Sequence, residues 1–152
     1  MTNSPYHQDN AAMLERLREF AARATQADLC QPMPAGWTVS AVLAHLAFWD
    51  TRASTLMRQW QAEGITPSPI DVDVINEVTR PLCLAIEPRA ALELMLRCAA
   101  EVDALIEASD PAFLRQMETD GQTVHLNRGQ HRRTHLTEIY QALGWAPDAQ
   151  QE

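Results

Sequence analysis

The chain contains no lysine among its 152 residues. That absence removes Schiff-base chemistry, a pyridoxal-phosphate anchor and a P-loop, each of which needs a lysine amine. Glycine is scarce, with five in all, and β-branched residues are sparse outside short patches. Ala, Leu, Glu, Gln, Arg and Met are plentiful, and this balance favours helix. The three cysteines, Cys30, Cys83 and Cys98, are odd in number, widely spaced and without a C-x-x-C. A disulfide framework is not expected, and a reducing compartment fits best. A G-x-S-x-G elbow is missing, which speaks against a serine hydrolase. No G-x-G-x-x-G occurs, and position 132 is arginine, so there is no H-E-x-x-H either. The paired E-x-x-H segments of di-iron bundles are likewise missing.

Formal net charge is −8, and the sole basic doublet is Arg132-Arg133. Nucleic-acid binding needs a clustered basic surface, so none is expected. No window approaches the roughly 20 apolar residues of a membrane span. Met1 to Asn10 is polar, without the basic and apolar regions of a signal peptide. A cytoplasmic location follows as the expectation. The length favours a single domain over residues 1–152, large enough to bury about two-thirds of its unfolded surface.

Apolar spacing predicts the elements. Leu14, Leu17, Ala21 and Ala24 recur at helical steps, giving a first helix from about Tyr6 to Ala27. Pro32, Pro34 and Gly36 break the chain. Thr38 is a good N-cap for a second helix, whose stripe runs Val42, His45/Leu46, Trp49, Ala53, Leu56/Met57 and Trp60 before Gly64 and Pro67 end it. Asp71 to about Arg80 predicts a short helix with Val74, Ile75 and Val78 as its apolar side, interrupted or kinked by Pro81. Pro88 suits the first position of another helix, with Leu92, Met95/Leu96, Ala99, Val102 and Leu105/Ile106 as its stripe. Asp110-Pro111 marks an end. Residues 111–127 read as less regular, with a turn at Gly121 and a short extended piece from Thr123 to Leu126. Asn127 caps the last helix, with Gln130 at the capping-box position. That helix carries His131, His135, Leu136, Ile139 and Leu143, and stops at Gly144 and Pro147. A frayed tail is expected after Trp145. The fold class is all-α: a four-helix bundle with a long crossover, roughly Gly64 to Glu87, between helices two and three.

Three histidines stand out. His131 and His135 are four apart, so they share a helix face. His45 lies 86 positions before His131, inside the apolar stripe of another helix. A buried imidazole has two nitrogens to satisfy, and leaving one unpaired costs about 1–3 kcal/mol. A core histidine with hydrogen-bond partners is one solution. A metal bond to one nitrogen and a hydrogen bond from the other is the second. Three imidazoles on one divalent ion would leave positions open for water or substrate. Asp50 and Glu138 are candidates to orient a ligand or shuttle a proton, or they are ordinary solvated carboxylates. Asn76, on the polar side of the connector helix, either points into the cleft or caps locally. His125 is an alternative ligand, and His7 reads as solvated. Arg132 and Arg133 either guide an anionic substrate or form a solvated helix face. Cys83 and Cys98 are expected to be buried and inert.

The motifs Gly36-Trp37-Thr38-Val39-Ser40, His45-Leu46-Ala47-Phe48-Trp49-Asp50, Asp73-Val74-Ile75-Asn76-Glu77 and His131-Arg132-Arg133-Thr134-His135-Leu136 resemble the DinB-like superfamily. That superfamily includes bacterial thiol-transferase and mycothiol-dependent isomerase branches, and the resemblance spans nearly the whole chain. It implies a four-helix bundle with a helix-two to helix-three crossover. It also implies a three-histidine site at His45, His131 and His135, holding zinc or nickel, and a homodimer. Its functional implication is a metal-dependent S-transferase joining a low-molecular-weight thiol to a small electrophile, or a hydrolase of a small substrate. Some branches lack metal, so a non-catalytic metal-binding or scaffold bundle stands beside these.

Overall fold

The computed structural model describes residues 4–147. Among them are seven α-helices and no strand. Helix α1 spans Pro5–Arg23, with proline in its first turn. It ends earlier than the apolar spacing predicts, because Thr25 starts a separate turn, α2 (Gln26–Leu29). The Thr25 hydroxyl accepts from Asp28 N–H, and the Asp28 carboxylate takes the Thr25 N–H in return. Two orphan donors are satisfied reciprocally, so the chain restarts rather than continuing. A tight loop follows through Pro34–Gly36, where Ala35 and Gly36 both take positive φ. Met33 N–H to Trp37 O at 2.8 Å closes it.

Helix α3 runs Val39–Glu63, capped by the Thr38 hydroxyl on Ala41 N–H and stopped at Gly64, φ 92°. Helix α4 runs Val72–Leu84 behind an Asp71 cap. It departs from expectation twice. Pro81 does not interrupt it; the helix continues to Leu84. The carbonyl that Pro81 leaves without a donor belongs to Glu77, which is exposed and open to water. The expected apolar side is also turned outward. Val74 and Val78 are more than half exposed, and the buried residues are Thr79 and Cys83.

Helix α5 (Pro88–Ala108) begins where the Glu87 carboxylate accepts from Arg89 and Ala90 N–H. Helix α6 (Pro111–Thr119) lies in the stretch read as irregular. Asp110-Pro111 ends one helix and starts the next: the Asp110 carboxylate caps Ala112 N–H at 2.7 Å. Thr123–His125 is a 3-10 turn, not an extended piece. Helix α7 (Arg128–Leu143) is capped by the Asn127 side chain on Gln130 N–H and stops at Gly144, φ 66°. The return half of the expected capping box gives way to a bond from Asn127 N–H to Thr123 O. Most of the tail expected to fray, residues 148–152, lies outside the described residues.

Helix α3 packs on α5, α4 and α7, while α1 packs on α5 and α7. The largest core joins Leu17 and Phe20, Leu43 and Leu46, Leu92 and Met95, and Leu136 and Ile139 from these four long helices. Each such buried side chain is worth about 1.5–3 kcal/mol over its exposed state. A second core around Met57, Trp60, Val102, Ile106 and Met117 fixes the other end. Trp145 packs against Phe20 and Tyr140. No helix among the described residues is long and apolar enough to cross a membrane.

Candidate metal centre

His45 projects from the buried face of α3, and His131 and His135 from successive turns of α7. His45 Nε2 lies 3.2 Å from His135 Nε2, and His135 Nε2 lies 3.1 Å from His131 Nε2. One ring nitrogen from each of the three falls within 4.8 Å of the others. Imidazole nitrogens bound at about 2.0–2.1 Å in tetrahedral geometry stand roughly 3.3–3.4 Å apart. The two close separations sit near that value, so this group could hold a metal. Burial pushes the His45 pKa down to about 4, helped by His135 and Arg128. His131 is driven lower still by the same causes, burial first. Both rings are therefore neutral at pH 7, the form that ligates.

The outer nitrogens differ. His135 Nδ1–H donates to Glu138 Oε2 at 2.9 Å, which leaves its Nε2 lone pair facing the other rings, as a ligand requires. His45 Nδ1 is buried without a hydrogen-bond partner. His131 Nδ1 lies 3.3 Å from Arg128 Nη2. A guanidinium only donates, so this contact favours the tautomer with the proton on Nε2. The donor set thus fits a divalent ion in spacing, with Arg128 pulling against it at one ring.

A cavity of about 1170 Å³ opens onto the three rings. Its walls are apolar where Met33, Trp37, Val42, Trp49, Val72 and Val124 line it, and polar at Asn76, Arg128, Glu138 and Gln141. Apolar walls with a few convergent polar groups are the usual form of a small-molecule site. Residues 11–150 match the family described as mycothiol maleylpyruvate isomerase N-terminal domain. The chain belongs to that family, within the DinB-like superfamily. Comparison with curated proteins and with solved structures finds no match.

In this DinB-like domain the remaining candidates fall into distinct places. Asn76 lines the cavity and accepts from Trp49 Nε1–H at 3.3 Å. It does not serve as the cap of α4; Asp71 does. Asp50 is 1% exposed and touches none of the three histidines. It accepts from Arg128 Nε at 2.7 Å and from Arg132 Nη2 at 3.1 Å. Its link to the site is indirect, through Arg128 to His131. His125 is buried against Trp60, ring centroids 5.5 Å apart, and stands outside the three-histidine group. His7 is not freely solvated: it stacks on Tyr6.

Arg132 corrects both readings of the basic doublet. It is fully buried, bonded to Asp50, to Asp103, and to the carbonyls of Asn10 and Ala99. Burial works against its charge, yet the two carboxylates hold its pKa above the ordinary value. Arg133 pairs with Asp9 on α1. The cation beside the site is Arg128, which sequence reasoning passed over. Its signal was present, since positions 128, 131, 132 and 135 share one face of a helix.

Proposed function

We propose that this chain is a divalent-metal-dependent enzyme, with His45, His131 and His135 holding zinc or nickel and small ligands filling the remaining positions. A bound divalent ion lowers the pKa of a thiol or water and presents the anion as a nucleophile. The proposed reaction is transfer of a low-molecular-weight thiol to a small electrophile, with hydrolysis of a small substrate as the variant in which water replaces the thiol. Glu138 orients His135 by accepting its Nδ1–H. Trp37, Trp49 and Met33 form an apolar wall that excludes water from one side of the reacting groups. Asn76 Oδ1 fixes the Trp49 indole and thereby the shape of that wall. The proposal takes the four long helices as one four-helix bundle and one domain over residues 1–152, with α4 carried in the crossover between α3 and α5.

The observation that carries this reading is the meeting of three imidazole Nε2 atoms at the edge of an apolar cavity. The thiol is suggested by the family, whose description names mycothiol. Elemental analysis of tag-free protein tests the metal, and incubation with several cellular thiols and a generic electrophile tests the chemistry. One equivalent of bound metal and metal-dependent loss of free thiol are expected. No stoichiometric metal after incubation with zinc and with nickel would overturn the reading.

Arg128 supports a second reading, a non-catalytic helical scaffold. With the Arg128 donor on His131 Nδ1, His131 Nε2–H can donate to His135 Nε2, a metal-free hydrogen bond inside the group. In that case His45→Ala changes stability and leaves metal content at zero in both proteins.

A further inference from the structure

The two histidines of α7 are wired in opposite senses. A ligating imidazole ordinarily donates its outer N–H to a carboxylate, a carbonyl or water. His135 does so, through Nδ1–H to Glu138 at 2.9 Å. His131, one turn earlier, has a donor in that place, Arg128 Nη2 at 3.3 Å. A guanidinium has no acceptor, so His131 Nδ1 supplies the lone pair and the proton of the neutral ring sits on Nε2. That proton meets His135 Nε2, 3.1 Å away. The bond occupies the lone pair that His135 would give to an ion, and His131 has none left on Nε2. One guanidinium thus withholds two of the three donors.

Arg128 is fixed in this position. Its Nε donates to Asp50 at 2.7 Å and its Nη1 to Val124 O at 2.9 Å. The guanidinium is planar, so those two bonds set its plane and aim Nη2 at His131. The side chain is buried, and the Asp50 behind it is tied to Arg132 at 3.1 Å. A surface arginine would leave the ring at little cost; this one leaves only by breaking bonds in a buried network.

We propose that Arg128 is a positioning residue that opposes metal loading by holding His131 in the tautomer that cannot ligate. The inference rests on His45, His131 and His135 being the ligands. For His131 to ligate through Nε2, its proton moves to Nδ1 and the Arg128 Nη2 bond is given up. The proton lost at one nitrogen is regained at the other, so the ring stays neutral. The site therefore holds an ion more loosely than its three imidazoles alone dictate.

Chelator competition with zinc, on the tag-free parent and on Arg128→Met, tests this. Methionine removes the donor and keeps an unbranched side chain, while Asp50 retains Arg132. Arg128→Met is expected to bind zinc about 10–100-fold more tightly, the range over which such outer partners tune a site. Binding by Arg128→Met alone is the extreme form of the same result. Equal or weaker binding by a folded Arg128→Met overturns the proposal and leaves the ligand set standing. Binding by neither protein overturns the ligand set, and the proposal with it. Imidazole nitrogen–proton NMR spectra of the parent need no variant. Without metal, His131 is expected to carry its proton on Nε2 and His135 on Nδ1. A His131 protonated at Nδ1 in the metal-free parent overturns the proposal even where Arg128→Met fails to fold.

Discussion

The Arg132 guanidinium, closed off from solvent, meets the Asp50 carboxylate at 3.1 Å, and the same carboxylate holds Arg128 at 2.7 Å. One buried anion on α3 therefore serves two cations on α7. Removing one member of a buried ion cluster strands the others, which costs about 3–5 kcal/mol. Asp50→Ala is expected to lose that much in urea denaturation. Asp103→Asn is expected to lose less, because Arg132 keeps Asp50. Equal losses would show that Asp50 is not the hub.

Glu138 is half exposed at its side chain and bonds His135 Nδ1. As an exposed pair it adds little stability, under about 1 kcal/mol. As an orienting partner it tunes metal affinity about 10–100-fold. Glu138→Ala is expected to weaken zinc binding in a chelator competition while melting almost normally without metal. In the parent protein, zinc at about 100 times its Kd adds roughly 2.7 kcal/mol, a rise in Tm of about 5–10 °C for a domain this size. His45→Ala is expected to abolish that rise.

Burial, reinforced by Arg52 and Arg128, pushes the His125 pKa to about 4 from 6.5. Between those values the unfolded chain binds a proton that the folded chain refuses, so stability rises with pH across the window. It is full above pH 6.5 and is lost as pH falls towards 4, by about 3 kcal/mol for this group. His125→Phe keeps a ring against Trp60 and is expected to flatten the acid limb of a stability-versus-pH curve measured without metal. An unchanged slope would show that His125 is not one of the groups responsible.

Gly129 sits where α7 touches α1. A Cβ there would come within 2.8 Å of the Asp9 backbone, and the Gly129 N–H bonds Asn10 Oδ1 at 2.7 Å. Gly129→Ala, although it favours helix intrinsically, is expected to destabilise by about 1–3 kcal/mol through overpacking. Thermal melting checks the sign.

Much of this was legible in the sequence. Thr38, Gly64, Pro88 and Gly144 bound their helices as their chemistry predicts, because capping is local and needs no neighbour. The histidines were found because their spacing places them on inward faces. Helix α6 was missed because Asp110-Pro111 serves as stop and start at once, and local rules assign it one meaning. The outward turn of Val74 and Val78 was illegible for another reason. Periodicity finds an apolar face without saying what it meets. Arg132 was misread because a buried guanidinium depends on Asp50 and Asp103, 82 and 29 positions away, and no local pattern announces such partners.

The inward face of α7 in its leading turns is built from Arg128, His131, Arg132 and His135, so hydrophobic collapse offers that segment little. Its attachments become available only when α3 and α5 already present Asp50, Asp103 and His45. The order of assembly follows. In pulse-labelled hydrogen exchange, amides of residues 128–135 are expected to gain protection after those of Leu136–Leu143, so the pocket's histidine wall is completed at the close of folding rather than at its outset.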